Sequence, residues 1–324
     1  MRKKLILGAL LSIFLVYLSV KGIRILDVVN GFKSIQHGYI IHALLIMFII
    51  QALRSFRWGV ILEPLEKIDQ RSLFSVTSVG FLGIIAMPAR LGELVRPYLI
   101  TNKSHVQFSS AMGTIFVERI MDGISILFIS FSALFFAPTP TGLLKPSLIL
   151  FLILLIIVVG VSFIISRRHD IQTFLNPFLN KISPNVVLKL KNLINRFIDG
   201  FKIMNDPKRL FLSIALSVII WTINAMAIYT LFMAFGFQLP IANAFILMVI
   251  LIIGIALPTA PGFVGNWHFP CVLGLSLFGI PKAEALSFAV IYHFLSVGII
   301  IVLGLLFLPF NKVPFPDLGK LSLK

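Results

Sequence analysis

Residues 81–98 read Phe81-Leu82-Gly83-Ile84-Ile85-Ala86-Met87-Pro88-Ala89-Arg90-Leu91-Gly92-Glu93-Leu94-Val95-Arg96-Pro97-Tyr98. The first third would sit comfortably in a bilayer. The remainder carries three charges, Arg90, Glu93 and Arg96, and is interrupted by Pro88, Gly92 and Pro97. A charge at the bilayer centre costs about 3 kcal/mol on insertion scales. Irregular backbone at membrane depth is tolerated only where protein or a water-filled cavity surrounds it. The stretch therefore predicts a broken membrane helix at a polar cavity.

The rest of the chain agrees with a membrane setting. Of 324 residues, 58% are hydrophobic and 12% charged, and the mean hydropathy is +1.02. Soluble domains carry roughly twice that share of charge. The expected fold is an all-α polytopic membrane protein, with residues 1–324 as a single transmembrane domain. The net charge of +16 does not point to nucleic acid, because Lys and Arg collect on cytoplasmic loops and meet anionic headgroups. One cysteine, Cys271, excludes an internal disulfide. Arg2, Lys3 and Lys4 followed by the apolar run 5–20 resemble a signal peptide. Ser19-Val20-Lys21-Gly22 lacks the small-residue cleavage pattern, so the run is expected to stay as the first transmembrane helix.

Apolar runs at 5–20, 39–62, 73–87, 108–136, 147–166, 210–235, 241–257 and 284–308 give about eight transmembrane elements. Loop charge orients them. Arg2, Lys3 and Lys4 put the N-terminus in the cytoplasm, and Arg54, Arg57, Lys67 and Arg71 put the end of the second element there. Residues 167–209, with nine Lys or Arg among them (Arg167, Arg168, Lys181, Lys189, Lys191, Arg196, Lys202, Lys208 and Arg209), are cytoplasmic, as is the tail with Lys312, Lys320 and Lys324. The 137–146 and 236–240 loops are external. Residues 73–104 must then enter and leave by the cytoplasmic face, and 241–280 by the outer face. Two units of opposite direction result, 39–136 and 210–308, each with a broken or re-entrant pair: an inverted repeat of the transporter kind, with its site where the breaks meet. Between them, 147–204 supplies one helix and a basic linker. The linker's apolar positions, Phe174 to Ile198, read as amphipathic helices on the membrane surface.

Chemistry concentrates near the breaks. In Val117-Glu118-Arg119-Ile120-Met121-Asp122, the two carboxylates are four apart and share a helix face. With Arg90, Glu93 and Arg96 they make three positive and three negative residues, the balance a buried network needs. Such a set either locks the broken helix or lets Arg90 or Arg96 hold an anionic headgroup, since the arginine fork matches phosphate. The second unit offers Asn266, Trp267 and His268 just after Pro261-Gly262-Phe263-Val264-Gly265, and His293 in the middle of the run 284–308. Trp58, Trp221 and the phenylalanines read as lipid-facing or packing residues. The sequence has no Gly-rich phosphate loop, HExxH, Cys/His metal spacing or G-x-S-x-G, so no cofactor or metal is expected.

Three motifs in order resemble the flippase-like family, the membrane region of lysylphosphatidylglycerol synthases and their stand-alone relatives (uncharacterised protein family 0104). They are Pro88-Ala89-Arg90-Leu91-Gly92-Glu93-Leu94-Val95-Arg96-Pro97, the Glu118–Asp122 stretch, and Pro258-Thr259-Ala260-Pro261-Gly262-Phe263-Val264-Gly265. The resemblance spans about residues 5 to 310. It implies a multi-pass plasma-membrane protein of a bacterium or archaeon that moves a lipid or lipid-linked intermediate between leaflets. Arg90, Glu93, Arg96, Glu118, Arg119 and Asp122 match the family's charged motifs. Many relatives carry a glutamate shortly after the second Pro-Gly motif, where this chain has Asn266-Trp267-His268. The synthases also continue into a soluble aminoacyl-transfer domain, so aminoacyl transfer by this chain alone is not expected.

The leading expectation is translocation of an anionic or aminoacylated phospholipid or a lipid-linked intermediate, with Arg90, Glu93, Arg96, Glu118, Arg119, Asp122, Asn266 and His268 as substrate-binding residues. The alternative is an integral-membrane transferase or accessory subunit in lipid or lipid-linked glycan synthesis. A small-solute transporter fits less well with so few polar residues outside the breaks. Expected partners are membrane lipids with anionic headgroups and a lipid-modifying enzyme or glycosyltransferase.

Overall fold

A computed structural model describes residues 2–33, 35–136, 152, 156, 184–256 and 260–311. Of the expected helix 147–166, only Leu152 and Ile156 are described, both helical; the loop 137–146 and Leu257-Pro258-Thr259 lie outside the described residues. Every regular element among the described residues is helical: α1 (Arg2–Val20), α2 (Ile25–Lys33), α3 (His37–Leu62), α4 (Gln70–Ala86), α5 (Val95–Thr101), α6 (Phe108–Phe136), α7 (Pro184–Asp199), α8 (Pro207–Ala234), α9 (Ile241–Ala256), α10 (His268–Leu277) and α11 (Lys282–Phe307).

Three helices, His37–Leu62, Pro207–Ala234 and Lys282–Phe310, are long and apolar enough to cross a membrane. Gly8–Val20 and Ile25–Lys33, bent by 76°, make a fourth if taken as one broken span. The bend was not anticipated. It falls at Gly22, whose φ of +80° suits glycine and few other residues. Local chemistry sets the helix starts. The Asp69 carboxylate accepts from the Ser72 backbone N–H at 2.9 Å to cap α4. Asp206 accepts from Arg209 N–H at 3.1 Å to cap α8, and Pro207 opens that helix without a wasted donor.

Helices α4 and α9 have 17 and 16 residues. At 1.5 Å per residue both fall short of the roughly 30 Å hydrocarbon core, and each doubles back. After α4 a 3-10 turn, Pro88–Leu94, leads into α5. A methyl on Gly92 would overlap the Gly83 carbonyl, one on Gly83 would lie 2.8 Å from Val95, and one on Gly80 would overlap Arg96. Position numbers fall on one side as they rise on the other, so the two arms of the hairpin are antiparallel and in near backbone contact. The second hairpin repeats the device. Gly254 abuts Pro270, and a methyl on Gly274 would lie 2.7 Å from Leu247. Its turn, Pro261–Phe263, touches α4, so the second hairpin packs against the first.

Helices α3 and α8 pack together along the middle of the molecule, α11 lies on α4, and α1 lies on α10. Ser12 Oγ accepts from the Ala260 N–H at 3.0 Å, and Ser287 Oγ donates to the Val28 carbonyl at 2.9 Å, tying α1 and α2 to the second hairpin and α11. The largest apolar cluster surrounds Phe232 and Phe288, and a second surrounds Trp58, Leu73, Val76 and Leu99.

Candidate functional site

Helix α6 supplies two carboxylates one turn apart, and both are buried: Glu118 is 1% and Asp122 6% exposed. The hairpin brings Arg96 to Glu118 in a two-pronged pair, Nη1 to Oε1 at 2.8 Å and Nη2 to Oε2 at 3.1 Å. Two parallel charge-assisted bonds fix direction as well as distance. The same guanidinium lies 4.2 Å from the Trp58 ring centroid and 5.6 Å from that of Phe81, so aromatic faces hold it where water is excluded. Trp58 is itself fixed by donating Nε1–H to Thr114 Oγ1 at 3.1 Å.

A second arginine enters from α3. Arg57 donates through Nη1 and Nη2 to the two oxygens of Asp122, through Nη1 to Ser217 Oγ at 2.7 Å, and stands 3.5 Å from Glu118. Trp221 of α8 donates Nε1–H to Asp122 Oδ1 at 2.9 Å. Arg119 completes the set, 3.2 Å from Asp122 and 3.5 Å from Glu118. Its side chain is 39% exposed while those of Arg57 and Arg96 are 2% and 1%. Arg119 is therefore the mouth of the network and the other two its floor.

Three guanidiniums face two carboxylates here. Arg54, 5.1 Å from the Phe81 ring, adds a positive charge within electrostatic reach of Asp122, and Glu93 adds a negative one within reach of Arg119. Among these described side chains, four cations meet three anions. The Nε–H of Arg57, of Arg96 and of Arg119 each lacks a hydrogen-bond partner among the described residues. A buried cluster with surplus positive charge and spare donors suits an anion with several oxygens. Arg90 lies on the Pro88–Leu94 turn, and its side chain is outside the described residues.

Asn266 and His268 sit at the second break. Asn266 is fully buried. The His268 and His293 rings stand 4.7 Å apart, and His293 Nε2 is 2.7 Å from the Gly262 carbonyl oxygen. Trp267 packs edge-on to Tyr292 at 5.1 Å. Tyr292 is within electrostatic reach of Arg54.

Arg57, Trp58, Ser217 and Trp221 escaped the sequence reading. Arg57 looked like a charge marking the cytoplasmic end of a span, and the tryptophans looked like lipid-facing or packing residues; Trp58 does pack in the core, but the donor roles of both were missed. The signal was present: Arg57-Trp58 lies inside a 26-residue helix rather than beyond it, and a charge within a span asks for a partner.

Residues 5–304 match the family described as the lysylphosphatidylglycerol synthase TM region. The chain belongs to this family. Relatives of this lysylphosphatidylglycerol synthase TM-region protein include UPF0104 membrane proteins of archaea. One from Methanocaldococcus jannaschii is 27% identical over 67% of this chain and 89% of its own length. Another, from Methanothermobacter thermautotrophicus, is 22% identical over 88% of each. The glycosyltransferase AglD of Haloferax volcanii is 21% identical over 94% of this chain and 54% of its own length. Glu118, Arg119 and Asp122, which carried the resemblance, thus lie at the centre of the charge network of this family member.

Proposed function

We propose that this protein moves an anionic lipid, or a lipid-linked intermediate, between the leaflets of a bacterial or archaeal plasma membrane. The observation that carries the reading is the buried arginine–carboxylate network with its one half-exposed member, Arg119. A phosphate headgroup entering at Arg119 meets a guanidinium 3.2 Å from Asp122 and 3.5 Å from Glu118, longer contacts than the 2.8 and 3.1 Å of the Arg96–Glu118 pair. Asp122 then passes its share of Arg119 to Arg57 and Trp221, which already hold it. Glu118 and Asp122 offset part of the arginine charge when no lipid is bound, and Arg96 keeps the hairpin seated on α6. Arg90, Glu93, Asn266 and His268 are proposed as further contacts of the headgroup.

In this reading the hairpins α4–α5 and α9–α10 are re-entrant from opposite faces and form an inverted repeat, both termini are cytoplasmic, and about eight elements contact the membrane. Membership in the lysylphosphatidylglycerol synthase TM-region family and the two glycine-lined hairpins support it. The similarity to a glycosyltransferase favours a second reading, an accessory membrane subunit for lipid-linked glycan synthesis.

The test is a reconstituted flipping assay with a fluorescent phosphatidylglycerol and a membrane-impermeant quencher. Wild-type protein is expected to expose inner-leaflet probe, and Arg119→Ala to lose that activity with its melting temperature little changed. Equal activity in the variant, or none in the wild type, overturns the reading.

A further inference from the structure

An apolar crevice of about 330 Å³ opens between α6, α8 and α9, lined by Phe128, Ile129, Ser132, Val218, Thr222 and Phe245 among others. It adjoins the charge network along two helices. On α8, Val218 follows Ser217, which binds Arg57, and Thr222 follows Trp221, which binds Asp122. On α6, Asp122, Ser125, Ile129 and Ser132 are spaced three, four and three residues apart, which puts them on one face. Ile129 stands about 10 Å along the helix from Asp122. Ser125, between them, is 1% exposed and its hydroxyl has no partner among the described residues. The stripe thus grades from carboxylate through a spare buried donor to an apolar groove.

That gradation matches the long axis of a lipid. Resting on the headgroup reading above, we infer that the crevice seats one hydrocarbon chain of the lipid whose phosphate engages Arg119, with Ser125 donating to the ester or ether oxygen that joins chain to headgroup. Between helices in a bilayer the gain is packing and hydrogen bonding rather than release of water. The crevice then selects by fit and by its tether to the charged site, and a lipid lacking the anionic headgroup has no reason to prefer it.

The experiment uses phosphatidylglycerol carrying a photoreactive diazirine in one acyl chain, with the zwitterionic phosphatidylcholine counterpart as control, on the full chain in nanodiscs. Labelled positions are mapped by peptide mass spectrometry. Binding of water-soluble dihexanoyl phosphatidylglycerol is measured in parallel. The inference predicts labelling at 128–132 and 218–222 that favours phosphatidylglycerol about tenfold, ~1.4 kcal/mol in preference. Arg119→Gln should erase that preference. Val218→Trp, or Thr222→Phe should the first fold poorly, should remove the crevice label and leave dihexanoyl binding intact. If dihexanoyl phosphatidylglycerol binds in an Arg119-dependent way while the crevice labels equally with both lipids, the chain site is wrong and the headgroup site stands. If dihexanoyl phosphatidylglycerol does not bind the wild type, the headgroup reading falls and the chain site with it.

Discussion

Arg96 and Glu118 face each other across the α5–α6 contact in a two-pronged pair of 2.8 and 3.1 Å, with the Trp58 ring stacked on the guanidinium. Removing Glu118 leaves Arg96 buried without its counter-ion, at a cost of about 3–5 kcal/mol, and removing Arg96 leaves Glu118 only the longer contacts to Arg57 and Arg119 at 3.5 Å. Arg96→Ala and Glu118→Ala should each lower the melting temperature strongly in detergent. The pair replaced together by Met and Leu should recover most of the loss, since well-packed apolar substitutes for a buried pair are often neutral or better. Single variants that melt like the wild type would show that the pair is not formed.

Gly92 is where the first hairpin closes on itself, because any Cβ there meets the Gly83 carbonyl. Backbone cannot swing aside as a long side chain can. Gly92→Ala should therefore prevent correct closure and deplete folded protein on size-exclusion chromatography. Gly236 makes the useful contrast: its φ is +70° with open space around it, so alanine there should cost about 1 kcal/mol through backbone conformation alone. Equal yields of folded protein from the two variants would contradict the hairpin geometry.

Three loop carboxylates give the fold an acid limit. Hydrogen bonds from Arg209 hold Glu63 below its ordinary value of 4.5. Bonds from the Arg209 backbone and side chain hold Asp206 below 3.8, and bonds from Ser72 do the same for Asp69. A carboxyl whose folded value is depressed stabilises the fold at pH above its unfolded value and ceases to as pH falls through the folded one. Thermal stability should hold from pH 7 to about 5 and decline below about 4. Asp206→Asn should lower the neutral-pH stability and flatten the decline. An unchanged acid profile in that variant would remove the α8 cap from the account.

Hydropathy made most of the long described helices and both breaks legible, because burial in lipid imposes long apolar runs and leaves proline, glycine and charge as exceptions. Glu118, Arg119, Asp122 and Arg96 stood out as charges in apolar runs. Arg57 did not, because an arginine five residues from the end of α3 is indistinguishable in sequence from an interfacial anchor; only the fold shows it turned inward onto Asp122. Trp221 was hidden for a related reason. Tryptophan is common at membrane surfaces, and its use as a donor to Asp122 depends on α8 lying against α6. The 76° bend after α1 went unread because Gly22 in a short polar stretch looks like any loop.

Whether the arginine network holds an anionic lipid can be read by native mass spectrometry on gently purified protein, comparing wild type with Arg119→Ala. An anionic lipid should stay bound to the wild type and be absent from the variant, with zwitterionic lipids unaffected. Equal retention by both proteins, or no headgroup preference in either, would contradict it and leave the network as a purely structural lock on the α4–α5 hairpin.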